Sequence, residues 1–267
     1  MDCVGILMNG NVKLSDRLGL IAELVHHGAR VADIGSDHAL LPVYLVSAGQ
    51  CPSAIAGELN QGPFEAASRQ VDAAGLKDRI QVRKGNGLAV VQAGEADTIT
   101  IAGMGGQLIA AILEDGRKAG KLSGVKQLVL QPNVGEDAVR RWLTEHDWLL
   151  TDERILEEDG KIYEIVVAVR ANDAAERNAQ LYKADNIPSA AEGEDAVRLL
   201  YRFGPYLLQR PTEVFFRKWD SEIRKMDRIL RQMEQAETEE AADKAEQFRA
   251  EMERMKEVLA CLQKGRP

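Results

Sequence analysis

A net charge of −8, from 42 acidic against 34 basic side chains, sets this 267-residue chain apart from proteins that hold nucleic acid over their whole surface. Cys3, Cys51 and Cys261 are scattered and odd in number, which argues against a disulfide framework or a zinc site and points to reduced thiols in a cytoplasm. No apolar run approaches the roughly 20 residues of a membrane helix and the first residues lack the sections of a signal peptide, so a cytoplasmic protein without membrane or metal partners is expected.

Strands and helices alternate through the first two-thirds of the chain. Short runs rich in Val, Ile, Leu or Ala predict strands at 30–34, 53–58, 79–83, 97–102 and 126–131. Helices are expected between them at 62–74, opened by Gly62-Pro63 with proline in the first turn, at about 105–119 and at 135–146. Trp148, Leu150 and the run Ile162 to Val169 then supply two strands in succession. Repeated strand-helix units followed by two adjacent strands predict a doubly wound α/β sheet that ends in an antiparallel pair, a feature of methyltransferase rather than dehydrogenase sheets.

After Arg170 no further strands are expected, which divides the chain into 1–170 and a helical domain, 171–267. Ile223, Met226, Leu230 and Met233 are spaced three or four apart, as are Phe248, Met252, Met255, Leu259 and Leu262, so the pattern predicts a coiled-coil hairpin turning near Glu237 to Asp243. From Arg198 to Arg231, nine basic residues stand against four acidic ones. Arg217, Lys218, Arg224 and Lys225 are the candidates for contact with RNA in this stretch, a solvated helix face being the plain alternative. The hairpin is too short to establish dimerisation; a monomer is expected, with a dimer left open.

Sites in such sheets form outside the carboxyl ends of the strands. The first strand ends in Asp33, Gly35, Ser36, Asp37 and His38, where a glycine turn and N-cap residue types leave backbone N–H groups facing a ligand. Asp37 would repel a pyrophosphate and suits an uncharged or cationic ligand, for which S-adenosylmethionine qualifies. Glu58, about twenty residues on and followed by Leu59, stands where a carboxylate accepts hydrogen bonds from ribose hydroxyls. Asn86 and Gly87 close the third strand and are placed to meet an adenine. These residues, with Ala102 and Gly103, make up the expected cofactor set.

The fourth strand ends in Ala102-Gly103-Met104-Gly105-Gly106, where three glycines in four residues favour close approach of a substrate to the backbone. Enzymes that methylate the exocyclic amine of adenine usually carry an Asn or Asp, two prolines and an aromatic at this point, and those are absent. Methylation of pyrimidine carbon 5 needs a thiolate, and no cysteine follows a strand end. Gln131 and Asn133, after the fifth strand, offer amides to the edge of an extruded base. Asp33, Gly103, Met104, Gly105, Gln131 and Asn133 are therefore the expected catalytic set.

These residues, together with Leu14-Ser15-Asp16-Arg17-Leu18, Gly160-Lys161-Ile162-Tyr163-Glu164 and Phe203-Gly204-Pro205-Tyr206-Leu207-Leu208, resemble the bacterial tRNA adenine-22 N1-methyltransferase family over almost the whole chain. Leu40 departs from the pattern, since an aromatic is expected there in many relatives. The resemblance implies S-adenosylmethionine as cofactor, a class I (Rossmann-like) methyltransferase sheet, an appended coiled-coil domain and tRNA as substrate. Arg17 is a further candidate RNA contact, on the sheet domain. Neutral adenine carries a lone pair on N1, so alignment with the methyl matters more than a strong base, and Asp33 or Asp37 would stabilise the cationic product. A sheet that has lost catalysis and serves as a scaffold, or a small-molecule methyltransferase, are the competing functions; the intact ligand-facing set favours an enzyme, and the basic helical stretch favours RNA.

Overall fold

A computed structural model describes residues 12–234 and 239–265, the side chains of 239–241 excepted. In chain order the elements are α1 (Asp16–Leu24), β1 (Val31–Ile34), α2 (Leu40–Ser47), β2 (Ala54–Glu58), α3 (Gln61–Ala73), β3 (Ile80–Lys84), β4 (Thr98–Gly105), α4 (Gly106–Lys118), β5 (Gln127–Val134), α5 (Glu136–Glu145), β6 (Trp148–Glu158) and β7 (Lys161–Arg170). They are followed by α6 (Ala174–Leu181), α7 (Gly193–Phe203), α8 (Pro205–Gln209), α9 (Glu213–Met233) and α10 (Glu239–Lys264). Cys3 lies outside the described residues. From Glu239 onward the segment expected as a turn is already helix.

The seven strands form one sheet in the order β3-β2-β1-β4-β5-β7-β6, with β7 antiparallel to both neighbours and the rest parallel. β1 and β2 are buried along their whole length, which is why they read as apolar runs interrupted only by Asp33 and Glu58 near their ends. Chain order reverses between β1 and β4: β2 and β3 extend to one side, β5 to the other. Right-handed crossovers then place α2 and α3 on one face and α4 on the opposite face. The residues Ile21, Leu41, Leu45, Ala67 and Val71 of α1 to α3 accordingly share a core with Val129, Ile165 and Val167 of the sheet. The crevice at the reversal is the position where open α/β sheets bind ligands.

β4 and β5 run further than expected, to Gly105 and Val134. Two register shifts, one skipping Gly103 on β4 and the next skipping Asn133 on β5, let Met104 pair with Pro132 and Gly105 with Val134, so the glycine-rich segment is a bulged strand rather than a free loop. At the far side of the sheet, Arg140 of α5 is fully buried and donates to Glu153 of β6 at 2.6 Å and to Glu164 of β7 at 2.5 Å. Removing one member of such a set leaves a buried charge uncompensated, a cost of about 3–5 kcal/mol.

The chain divides into two compact units, Met1–Ala175 and Glu176–Pro267, five residues beyond the change in composition at Arg170. In the second unit, α9 and α10 pack on each other, burying Met226 and Leu230 of one and Met252, Met255, Val258 and Leu259 of the other. Phe203, Phe215 and Trp219 form an aromatic cluster beside them, with ring centroids of Phe203 and Trp219 4.4 Å apart.

Candidate active site

β1 delivers Asp33 into the crevice, and the chain then turns at Gly35, whose φ of +71° a side chain would strain. The Gly35 and Ser36 amides both donate to the Gly57 carbonyl, at 2.8 and 3.2 Å, fastening this turn to the end of β2. Asp37, His38 and Ala39 follow in the left-handed region, with φ of 44°, 66° and 56°. Three such residues in a row are costly and occur where the surroundings over-determine them, commonly at functional sites.

Asp33 is buried, and Ser36 Oγ donates to its Oδ2 at 2.6 Å while Thr100 Oγ1 donates to Oδ1 at 2.5 Å. Burial raises its pKa above the usual carboxylate range, and the two hydroxyls oppose that rise. Glu58 is buried at the end of β2, and burial is the main cause of its raised pKa, which the nearby Asp37 backbone N–H opposes. Its Oε1 is enclosed and has no hydrogen-bond partner. A buried carboxylate oxygen without a donor calls for a ligand that brings one. Next to it Leu59 is exposed, offering an apolar face, and Asn86 and Gly87 lie exposed or half-exposed at the end of β3. These are the features a ribose and a flat base require.

On the other side of the reversal, amide side chains pin the bulge. Gln131 is fully buried; its Oε1 accepts from the Gly103 amide at 3.1 Å and from Arg17 Nη1 at 2.6 Å. Its Nε2 donates to the Pro132 carbonyl and to Asn133 Oδ1, and Asn133 Nδ2 donates to the Gly103 carbonyl at 2.9 Å. Both backbone polar groups of Gly103 are thus held by side chains at the end of β5. A Cβ placed on Gly103 would meet nothing within 4 Å, so open space borders this peptide. Met104 reaches the other way and covers Gly35, its Cε lying 2.2 Å from where a Cβ would stand. Gly106 permits α4 to start against β5, for a Cβ there would lie 1.9 Å from the Gly135 carbonyl oxygen. Two large apolar side chains at this edge face solvent, Leu108 at 54% and Val134 at 67% exposure.

The first unit therefore brings together Asp33, Gly35, Ser36, Asp37, His38, Glu58, Leu59, Asn86, Gly87, Ala102, Gly103, Met104, Gly105, Gln131 and Asn133. His38 is exposed, with its Nε2 3.7 Å from Asp37 Oδ1, and its side chain does not cap α2. Gln131 keeps no face for a substrate. Arg17, expected to meet RNA, is half-buried, bonded to Gln131 and set 5.4 Å from the centre of the Tyr163 ring. Arg217, Lys218, Arg224 and Lys225 lie on α9 in the second unit. Thr100 was not expected; its signal was a second threonine in a strand otherwise apolar on both faces. Tyr163 gave no signal of its own outside the family resemblance. Among the described residues no group of three or more His, Cys, Asp or Glu could hold a metal ion.

A reversing sheet with an antiparallel last pair, a carboxylate ending each of its first two strands and an open glycine bulge beside them is the architecture of a class I methyltransferase. The chain belongs to the tRNA (adenine(22)-N(1))-methyltransferase family, whose model matches residues 31–257. It is 45% identical to the tRNA (adenine(22)-N(1))-methyltransferase of Bacillus subtilis over 249 residues, 93% of this chain and 98% of that protein. The crystal structure of the B. subtilis enzyme superimposes with a TM-score of 0.80 at 44% identity, covering 92% of this chain and 98% of that one. A Streptococcus pneumoniae protein solved in complex with S-adenosyl-L-methionine gives 0.75 at 40% identity, covering 92% and 100%.

Proposed function

We propose that the protein transfers a methyl group from S-adenosylmethionine to N1 of adenine 22 of tRNA, with unit 1 binding cofactor and target base and unit 2 binding the RNA backbone. The observation that carries this reading is the buried, unpartnered Glu58 Oε1 beside the open Gly103 bulge, in a chain of this family. Bound S-adenosylmethionine supplies an electrophilic methyl on a sulfonium centre. Glu58 accepts the ribose hydroxyls, Leu59 and Asn86 face the adenine, and the Gly35 to His38 turn holds the amino-acid end. Asp33 sets that turn through Ser36 and, as a carboxylate, favours positive charge in the crevice. The target adenine enters over Gly103 to Gly105, where Leu108 and Val134 form an apolar lip against its ring and Asn133 keeps an N–H and a lone pair free for its edge. Adenine N1 uses its own lone pair, so these residues orient and exclude water and none has to remove a proton first.

In unit 2, spacings of seven, four and three place Arg217, Arg224, Arg228 and Arg231 on one exposed face of α9. Arg231 pairs with Asp227 and Lys225 with Glu222, whereas Arg224 and Arg228 have no ion-pair partner among the described residues. Such a stripe suits phosphates along an RNA helix. No described helix is long and apolar enough to cross a membrane. A cytoplasmic monomer is the working state that agrees with a tRNA substrate. The test is transfer of labelled methyl to bulk tRNA followed by nucleoside analysis. One-methyladenosine that disappears when adenine 22 of a transcript is replaced by guanine is the expected result, and label in any other nucleoside overturns the reading.

A further inference from the structure

We propose that Arg17 is a positioning residue for methyl transfer, acting through Gln131 on the Gly103 peptide, and makes no phosphate contact; this rests on the function proposed above. Gln131 is enclosed and its amide has only one orientation compatible with its neighbours. Arg17 Nη1 and the Gly103 N–H both require an oxygen, and the Pro132 carbonyl requires an N–H. Arg17 is the charged member of this set, and a hydrogen bond from a charged donor is roughly twice as strong as a neutral one. It therefore fixes which way the amide faces. The amide in turn orients Asn133, which holds the Gly103 carbonyl, so the guanidinium acts through one amide on both backbone polar groups of the residue that borders the substrate space.

Arg17 is itself well anchored. Its backbone N–H donates to Glu158 Oε1 at 3.2 Å, Ser15 caps the helix that carries it, and its guanidinium rests on Tyr163. A side chain committed to a buried amide and an aromatic face is poorly placed to follow a mobile phosphate. Arg17, expected from the sequence to meet RNA, is instead committed to Gln131 and Tyr163.

The experiment compares wild type, Arg17→Ala and Arg17→Lys in kcat, KM for tRNA and the salt dependence of KM, and measures amide exchange at Gly103 without RNA. A misplacement of about 1 Å can cost on the order of 100-fold in rate. Arg17→Ala is expected to lose roughly 10- to 100-fold in kcat, with KM and its salt slope within about twofold of wild type, and to lose protection at the Gly103 amide. Arg17→Lys keeps the charge without the planar fork and should show the same pattern in milder form. Combined with Asn133→Ala, Arg17→Ala should cost much less than the product of the two single losses, because both act on one peptide. A raised KM with a flatter salt slope and unchanged kcat, rescued fully by lysine, would overturn the proposal in favour of a phosphate contact. Unchanged Gly103 protection in both variants overturns it as well. That exchange measurement needs no RNA, so it stands even if wild type fails to methylate tRNA, an outcome that would count against the reaction and leave the positioning claim to be decided by Gly103.

Discussion

Asp33 and Thr100 are register partners on adjacent strands, and the threonine hydroxyl donates to the aspartate at 2.5 Å across the line where the sheet reverses. The bond joins the end of β1, which turns into the cofactor side, to the strand that continues into the substrate bulge. Asp33→Ala and Glu58→Ala should each weaken cofactor binding by about 1.5–3 kcal/mol, one to two orders of magnitude, while the fold persists. Calorimetric titration with S-adenosylmethionine measures this, and unchanged affinity in both variants removes the two carboxylates from the cofactor site.

Both carboxylates have pKa values raised mainly by burial. Ribose hydroxyls bond to the ionised form of Glu58, so cofactor affinity should be full above the raised pKa values and fall as pH drops through them, beginning at a higher pH than an ordinary carboxylate would give. Thr100→Val removes a bond that favours ionised Asp33 and should move this acid limb to still higher pH. Stability without ligand runs the other way. A raised folded pKa means that the protonated form is the better buried one, so its contribution is complete below the ordinary carboxylate range and is lost as pH rises through the folded value. Glu58→Gln should therefore raise the melting temperature of the ligand-free protein at neutral pH, with the gain vanishing near about pH 3.

Asn133→Ala should reduce methyl transfer far more than cofactor affinity, since it frees the Gly103 carbonyl without touching the Glu58 side of the crevice. Single-turnover rates beside equilibrium titration separate the two effects. Equal losses in both would return Asn133 to an ordinary structural role.

Leu108→Asp places a charge on the exposed apolar lip and should raise KM for tRNA several-fold with little change in melting temperature, because more than half of that side chain is already in solvent. A fluorescent adenine analogue at position 22 would report the defect directly as weaker base extrusion. Unaltered KM and fluorescence would show that the base takes another path.

Charge reversal at Arg217, Lys218, Arg224 and Lys225 should weaken tRNA binding and flatten its salt dependence, each lost phosphate contact lowering the slope by about 0.7–0.9. Arg224 and Arg228 should contribute more than Lys225, which is engaged by Glu222 at 2.6 Å. Retained binding with an unchanged slope would assign RNA recognition to unit 1.

The strands were legible because buried parallel strands leave short apolar runs broken by glycine, and Asp33 and Glu58 stood out as the polar residues ending them. β4 and β5 run past the ends of their apolar stretches. Gly103 and Pro132 look like strand breakers, yet one register shift skips Gly103, Pro132 stands opposite Met104, and pairing continues to Gly105 and Val134. The roles of Gln131 and Arg17 were hidden for a different reason. Their bond spans 114 residues of sequence, and only the packing of the N-terminal helix on the folded sheet brings them together. The same holds for Arg140, whose two carboxylate partners lie on strands still to come when the chain reaches it.

The run of left-handed residues from Asp37 to Ala39 bears on how the enzyme can be engineered. Replacing His38, whose side chain is exposed, with glycine relieves a backbone penalty of about 1–2 kcal/mol in the folded state, against the smaller entropic cost glycine adds to the unfolded chain. A screen for thermal tolerance would favour such a change. The same relaxation would loosen the turn that sets the Asp37 amide near Glu58, so selection for heat resistance and selection for turnover should pull this turn toward different sequences.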